Sequence, residues 1–134
     1  MGVIFDTSEI ITLERNRWQI DEIVLGREDE FYGISVITVA ELLHGVERAD
    51  TETRKIKRQA FVEKVIEFFP VYNVDATVAR IYARIWASLA QKKLTVGAHD
   101  LIIAATAIAL NYTVITSNLR DYQKIEGLKV EERQ

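Results

Sequence analysis

The chain has 134 residues, room for one domain and too little for two. Asp and Glu number 20 against 17 Lys and Arg, a net charge of −3, which excludes a protein that holds nucleic acid mainly by bulk positive charge but not one that reaches it through a local basic patch. The absence of cysteine excludes a disulfide framework, thiolate zinc, Fe–S clusters and a cysteine nucleophile, so a metal must be held by oxygen or by His44 and His99.

In chain order, the apolar run Val3, Ile4 and Phe5 reads as a first strand that ends at Asp6 and hands over to a helix across 8–15. A weaker helical pattern follows at 17–25, then a β-branched strand at 32–37. Thr38 is expected to open a helix reaching about Glu47. Across 51–69 the residues Ile56, Ala60, Phe61, Val65 and Phe68 recur at helical spacing, with Arg54, Lys55, Lys57, Arg58 and Lys64 on other faces. Pro70 stops this helix, 71–74 form a short strand, and Asp75 caps a helix to about Gln91. Asp100 begins an Ala-rich helix to Leu110, residues 113–117 make a fourth strand, and 128–130 a short fifth. Strands alternating with helices of this length imply βα units and a mostly parallel sheet covered on both faces. Ligands of such sheets lie beyond the carboxyl ends of the strands, where strand order reverses.

Four acids fall at or near those ends. Asp6 closes the first strand, Glu41 lies one turn into the helix after the second, Asp100 starts the helix before the fourth, and Asp121 follows the fourth beside Asn118. Each also reads as a local device: Asp6 as a cap, Thr38 to Glu41 as a capping box, and Asp100 and Asp121 as first-turn carboxylates favoured by the helix dipole. Asp75, with no chemistry around it, reads as a cap only. Brought together, the four would repel one another and call for a hard divalent cation such as Mg²⁺, which binds one or two carboxylates and keeps waters for a phosphate oxygen to replace. Such an ion also generates the nucleophile for in-line attack on a phosphodiester, so no side-chain nucleophile is needed.

The segments VIFDTS at 3–8, SVITVAELLHGV at 35–46, AHDLIIAATA at 98–107 and VITSNLRDY at 114–122 resemble, in order and along essentially the whole chain, the PIN-domain ribonucleases, and more narrowly the VapC toxins of toxin–antitoxin pairs. The resemblance implies one PIN domain over 1–134, a three-layer α/β/α fold with a short, mostly parallel central sheet, and a metal-dependent endoribonuclease. It implies Asp6, Glu41 and Asp100 as the core acids, with Mg²⁺ or Mn²⁺ on Asp6 and Asp100 and with Glu41 and Asp121 joining directly or through water. The fourth acid of the family stands where Asn118 or Asp121 stands here; Asp121 is favoured, with Asn118 accessory. Thr7, Thr116 and Ser117 match accessory hydroxyls. The partners implied are an RNA substrate, a VapB-type antitoxin and a second copy of the chain.

His44 shares a helix face with Glu41 but reads better as a surface residue, and His99, adjacent to Asp100, diverges from it on a helix. Trp18 and Trp86 lie in apolar helical patterns that favour core packing over base stacking. Arg54, Lys55, Lys57 and Arg58 form the densest positive run, a solvated helix face or a set of RNA contacts, with Lys92 and Lys93 a weaker candidate. The alternative to a nuclease is a receiver-like or catalytically inactive PIN-like binding or signalling module. A receiver needs an acid pair where Asp6 and Thr7 stand, and no G-x-G-x-x-G or P-loop is present. The N-terminus lacks a signal-peptide pattern, and the apolar run 101–110 is about half of the ~20 residues that span a bilayer, so a cytoplasmic protein is expected.

Overall fold

Residues 1–133 of a computed structural model are described. Five strands form one sheet: β1 (Gly2–Phe5), β2 (Phe31–Ser35), β3 (Val71–Tyr72), β4 (Thr113–Thr116) and β5 (Lys129–Glu132). Their spatial order is β3-β2-β1-β4-β5, and every neighbouring pair is parallel. The chain builds outward from β1 to β3, then returns to β1's other side for β4 and β5. That reversal makes the gap between the carboxyl ends of β1 and β4 the switch point of the sheet.

Alternation along the strands sends side chains to two cores. Ile4 and Val114 face α4 (Ala76–Gln91) and α5 (Ala98–Leu110), where they join Ile81, Ile85, Leu101 and Ile103. Val3, Phe5, Ile34 and Ile115 face α1 (Thr7–Arg15), α2 (Val36–Glu47) and α3 (Glu52–Phe68), where they join Ile10, Leu13, Leu42, Val46 and Val65. The result is the expected α/β/α sandwich, with a sheet that is parallel throughout. Gly33 is required in β2 by close approach: a Cβ there would lie 2.7 Å from the Pro70 carbonyl oxygen and closer still to the Tyr72 ring.

Several local expectations shift. Residues 17–25 carry only a short 3-10 turn, Ile20–Val24, because Arg17 adopts a left-handed conformation (φ 55°) that ends α1. Strand β2 stops at Ser35, whose hydroxyl accepts the Ile37 amide at 3.1 Å and caps α2. The β-branched Val36 and Ile37 extend the strand pattern in sequence, but they form the first helical positions. Thr38 is therefore inside α2 and fully buried, and the capping box with Glu41 does not form. Asp75 caps α4 as expected, accepting the amide of Val78, and Thr51, rather than opening the helix itself, caps α3 by accepting the amide of Arg54. The buried residues of α3 are Val62 and Val65, followed by Phe69 at its cap, so Ile56 and Ala60 turn outward. Strand β3 is only two residues, β5 runs one to two residues later than expected, and a one-turn helix α6 (Leu119–Tyr122) follows β4.

The two tryptophans are not core residues. Trp86 is 60% exposed because the buried stripe of α4 is Val78, Ile81, Ile85 and Leu89, and its neighbour in sequence lies about 100° round the helix. Trp18 lies beyond the end of α1 and is 41% exposed.

Candidate active site

Asp6 stands where β1 ends, at the switch point, and its amide continues the sheet by donating to the Ile115 carbonyl at 2.9 Å. Its backbone is in the cap position of α1, yet its carboxylate caps no helical amide. It is buried instead, with Oδ1 accepting from the Tyr122 hydroxyl at 2.9 Å and Oδ2 from Thr116 at 2.7 Å and Ser8 at 2.9 Å. Three of about four lone-pair sites are thus engaged by hydroxyls, and no cation is among the partners. The capping explanation for Asp6 fails on this geometry, whereas Asp75, the comparison case, does cap.

Asp100 projects from the first turn of α5 toward the same point, and the Tyr122 hydroxyl lies 3.3 Å from its Oδ1. Tyr122 is fully buried and links the two carboxylates through one oxygen. Burial first, then the Asp6 charge, then Glu41 and Asp121 push the Asp100 carboxyl up to about 6, and only the Tyr122 hydrogen bond acts in the opposite direction. Burial first, then the Asp6 and Asp100 charges, push the Tyr122 phenol upward, so it stays a donor.

Glu41 enters from α2 on the other side of the sheet. Its Oε1 accepts from Thr7 at 2.8 Å, and the Thr7 and Thr38 oxygens lie 2.8 Å apart. Because Thr7 spends its single proton on Glu41, Thr38 is the donor of that pair, and a Thr38–Thr7–Glu41 relay fixes the carboxylate. His99 Nδ1 approaches Glu41 Oε2 at 3.6 Å, an exposed pairing too long for a hydrogen bond. His44 is exposed on α2.

The fourth acid is differently placed. Asp121 is partly exposed and accepts from Lys124 Nζ at 3.1 Å and from the Asn118 amide at 3.3 Å. The Lys124 contact foremost, then Asn118, holds its carboxyl below the usual range. Asn118 and Asp121 thus act as one unit at the margin of the site. Asn118 also donates its backbone amide to Thr116 at 2.8 Å, while the exposed Ser117 reaches only Ser8, at 3.3 Å. Of the basic run, Arg54 is paired with Asp50 at 2.8 Å and Lys55 lies 3.9 Å from Glu47. Arg58 donates to the Gly45 carbonyl at 3.0 Å and, with Arg15 and Glu41, lines a groove of about 400 Å³ between α1, α2 and α3.

Neither spacing nor motif singles out Tyr122 or Ser8, and for Thr38 the T-x-x-E spacing points to a helix cap rather than to this relay. Tyr122 stands between the polar residues Asp121 and Gln123, so nothing local forecasts its burial, and only once buried does its phenol require a polar partner. The donor set is all oxygen and carries uncompensated negative charge at Asp6 and Asp100, which suits a hard divalent cation. Among the described residues no three His, Asp or Glu side chains surround one point as they stand. An ion of this class asks less, since it binds through one or two carboxylates and retains waters. Asp6 and Asp100 meet that demand.

Comparison with known proteins agrees with this fold. The family model described as PIN domain matches residues 3–128. Ribonuclease VapC1 of Rickettsia felis is 41% identical over 133 residues, covering 97% of this chain and 95% of its own. The tRNA(fMet)-specific endonuclease VapC of Salmonella typhimurium is 35% identical over 99 residues, covering 74% of this chain and 73% of its own. The structure of DNA-bound VapBC from Salmonella typhimurium superimposes with a TM-score of 0.88 at 30% identity, covering 98% of each chain.

Proposed function

Because the chain belongs to the PIN-domain family, we propose that it is an endoribonuclease, the toxin of a VapBC-type toxin–antitoxin pair, and that it hydrolyses RNA phosphodiester bonds with a divalent cation as cofactor. The observation that carries this reading is the meeting of Asp6 and Asp100 on one buried hydroxyl at the switch point, with Glu41 approaching from the opposite layer. An inactive binding module would have no use for an acid whose charge is kept apart from every cation. The neighbours solved as VapBC complexes support a VapB-type antitoxin as protein partner. One PIN domain spanning 1–134 and a cytoplasmic location belong to the same reading. Among the described residues no helix is long and apolar enough to cross a membrane.

In this reading Asp6 and Asp100 hold Mg²⁺ or Mn²⁺, and Glu41 and Asp121 join directly or through water. Such an ion, when bound, polarises a water for attack and neutralises charge on the phosphate. The residues of the chain supply the positioning. Thr116, Ser8 and Tyr122 fix the plane of the Asp6 carboxylate, and the Thr38–Thr7 relay aims Glu41. Lys124 keeps Asp121 ionised, and Asn118 holds the second oxygen of that carboxylate. The RNA backbone then lies over the carboxyl ends of β1 and β4.

The test is incubation of purified chain with a structured RNA pool in Mg²⁺, in Mn²⁺ and in chelator. Cuts that require the cation and cease when a VapB-type antitoxin is added are expected; cutting that persists in chelator overturns the cation's role. A pH dependence follows from Asp100. Its folded value of about 6 lies above an ordinary 3.8, so the cation-free folded chain binds this proton more tightly than the unfolded chain does. Its contribution therefore favours folding below about pH 4 and is lost as pH rises through about 6. Mg²⁺ competes with that proton, so the rise in Tm on adding Mg²⁺ is expected to be larger at neutral pH than at about pH 5, checked by thermal denaturation.

A homodimer belongs to the same proposal. Tyr82 and Trp86, with ring centroids 5.9 Å apart, border a depression of about 440 Å³ on the outer side of α4 and α5. Sedimentation is expected to give a dimer for the unsubstituted chain and a monomer for Trp86→Glu.

A further inference from the structure

We propose that the cleft between α3 and the end of α1 is a second RNA-binding surface, which takes single-stranded RNA flanking the cut, stacks a base on Trp18 and pairs phosphates with Arg17, Lys57 and Lys64. This deepens the ribonuclease reading and rests on it for the identity of the strand that enters.

The cleft encloses about 550 Å³ and is walled by five cations, Arg17, Arg54, Lys57, Arg58 and Lys64, against a single acid, Glu14. In a chain whose net charge is −3 this is a local reversal of sign. Arg54 and Arg58 are partly occupied by Asp50 and the Gly45 carbonyl. Among the described residues, no carboxylate lies within ion-pair distance of Arg17, Lys57 or Lys64. These three exposed cations are therefore available to an external anion.

Trp18 supplies the second element. It is 41% exposed and lines the cleft. The Arg133 guanidinium lies 4.9 Å from its ring centroid and, with the indole, lines a separate neighbouring depression. A cation over the ring holds the indole in place while part of it remains turned to the cleft. Arg17 reaches the cleft from a left-handed backbone (φ 55°) that glycine would adopt with less strain, closing α1 through its amide to the Glu14 carbonyl at 3.1 Å. A stacking ring among exposed cations is the arrangement that binds single strands without reading their sequence.

The position of the cleft ties it to the site. Glu14 and Arg58 are walls both of this cleft and of the groove that ends at Glu41, so the two depressions adjoin. A strand cut beside Glu41 can run across Arg15 and Arg58 into the cleft. An acidic protein segment would satisfy the cations but leave the indole without a stacking partner, so RNA is the better match.

The probe is a labelled single-stranded oligouridylate of about a dozen nucleotides, titrated against the cleavage-silent Asp6→Asn chain. Trp18→Ala on that background is expected to weaken binding about tenfold, while Trp18→Phe retains most of it. Lys57→Glu with Lys64→Glu is expected to weaken it by more than about tenfold and to flatten the slope of log affinity against log salt by about 0.7 for each phosphate left unpaired. Arg80→Ala, an exposed cation on α4, serves as the control and leaves affinity unchanged. Folded charge-reversed chain that binds the probe as before overturns the proposal, as does equal weakening by Arg80→Ala. Retained RNA affinity with lost antitoxin binding also overturns it and assigns the cleft to protein. RNA cleavage by the unsubstituted chain is scored separately, so failure of the nuclease reading and failure of the cleft are distinguished.

Discussion

Asp6→Asn is expected to lower RNA cleavage by about three orders of magnitude or more and to leave the chain folded, because it removes a charge worth several kcal/mol to a bound cation without removing the site's packing. The fold survives because every partner of the Asp6 carboxylate is a hydroxyl. Tyr122, Thr116 and Ser8 all donate to the carboxylate now. When one oxygen becomes an amide, the facing hydroxyl can rotate and accept, and Tyr122 can turn its proton to Asp100, 3.3 Å away. A second readout separates charge from shape. With the Asp6 charge gone, the Asp100 carboxyl should fall from about 6 toward the ordinary range, as followed by NMR titration of its side-chain carbon. A folded Asp6→Asn chain that cuts at the original rate would remove Asp6 from the chemistry. An Asp100 that titrates unchanged would mean that burial alone raises it.

Tyr122→Phe is the second large effect, and it tests a residue that acts through others. The phenol is fully buried, and its hydrogen bond to a carboxylate is of the charge-assisted kind. Its loss is expected to cost about 2 kcal/mol of stability in chemical denaturation, since Asp6 keeps its Thr116 and Ser8 partners and is not stripped entirely. The pH behaviour distinguishes a positioning role from a merely structural one. Tyr122 is the one neighbour that lowers the Asp100 carboxyl, so its removal should move that group further up and shift the acidic limb of the cleavage profile to higher pH. A variant that loses stability but keeps the same acidic limb would confine Tyr122 to packing.

These two residues differ in how legible they are in the sequence. Asp6 is marked by its place at the end of an apolar run, and Asp100 and Glu41 by their places in helices flanking later strands. Local chemistry alone does not rank them above Asp75, which occupies an equally good cap position and does cap. What separates them is proximity across the sheet: Thr116 and Tyr122 on Asp6, 110 and 116 residues away. The helix start before Glu41 is obscured in the sequence for a similar reason. Val36 and Ile37 have strand-like side chains, and Ser35 outweighs that preference by capping a helix packed on the β1–β2 face.

The sequence by itself determined the alternation of strands and helices, the all-oxygen donor set, the absence of thiol chemistry and the four acids with their order along the chain. Those features follow from periodicity and residue chemistry, which are local. Only the tertiary structure decided that the reversal of strand order falls between β1 and β4, that Tyr122 joins Asp6 to Asp100, and that Asp121 is held at the margin by Lys124. It alone turned Trp18 outward among the cations of α3. Hydrogen bonds and charge act over a few ångströms in space, and a sequence states separation along the chain, so partners a hundred residues apart become visible only when the sheet closes.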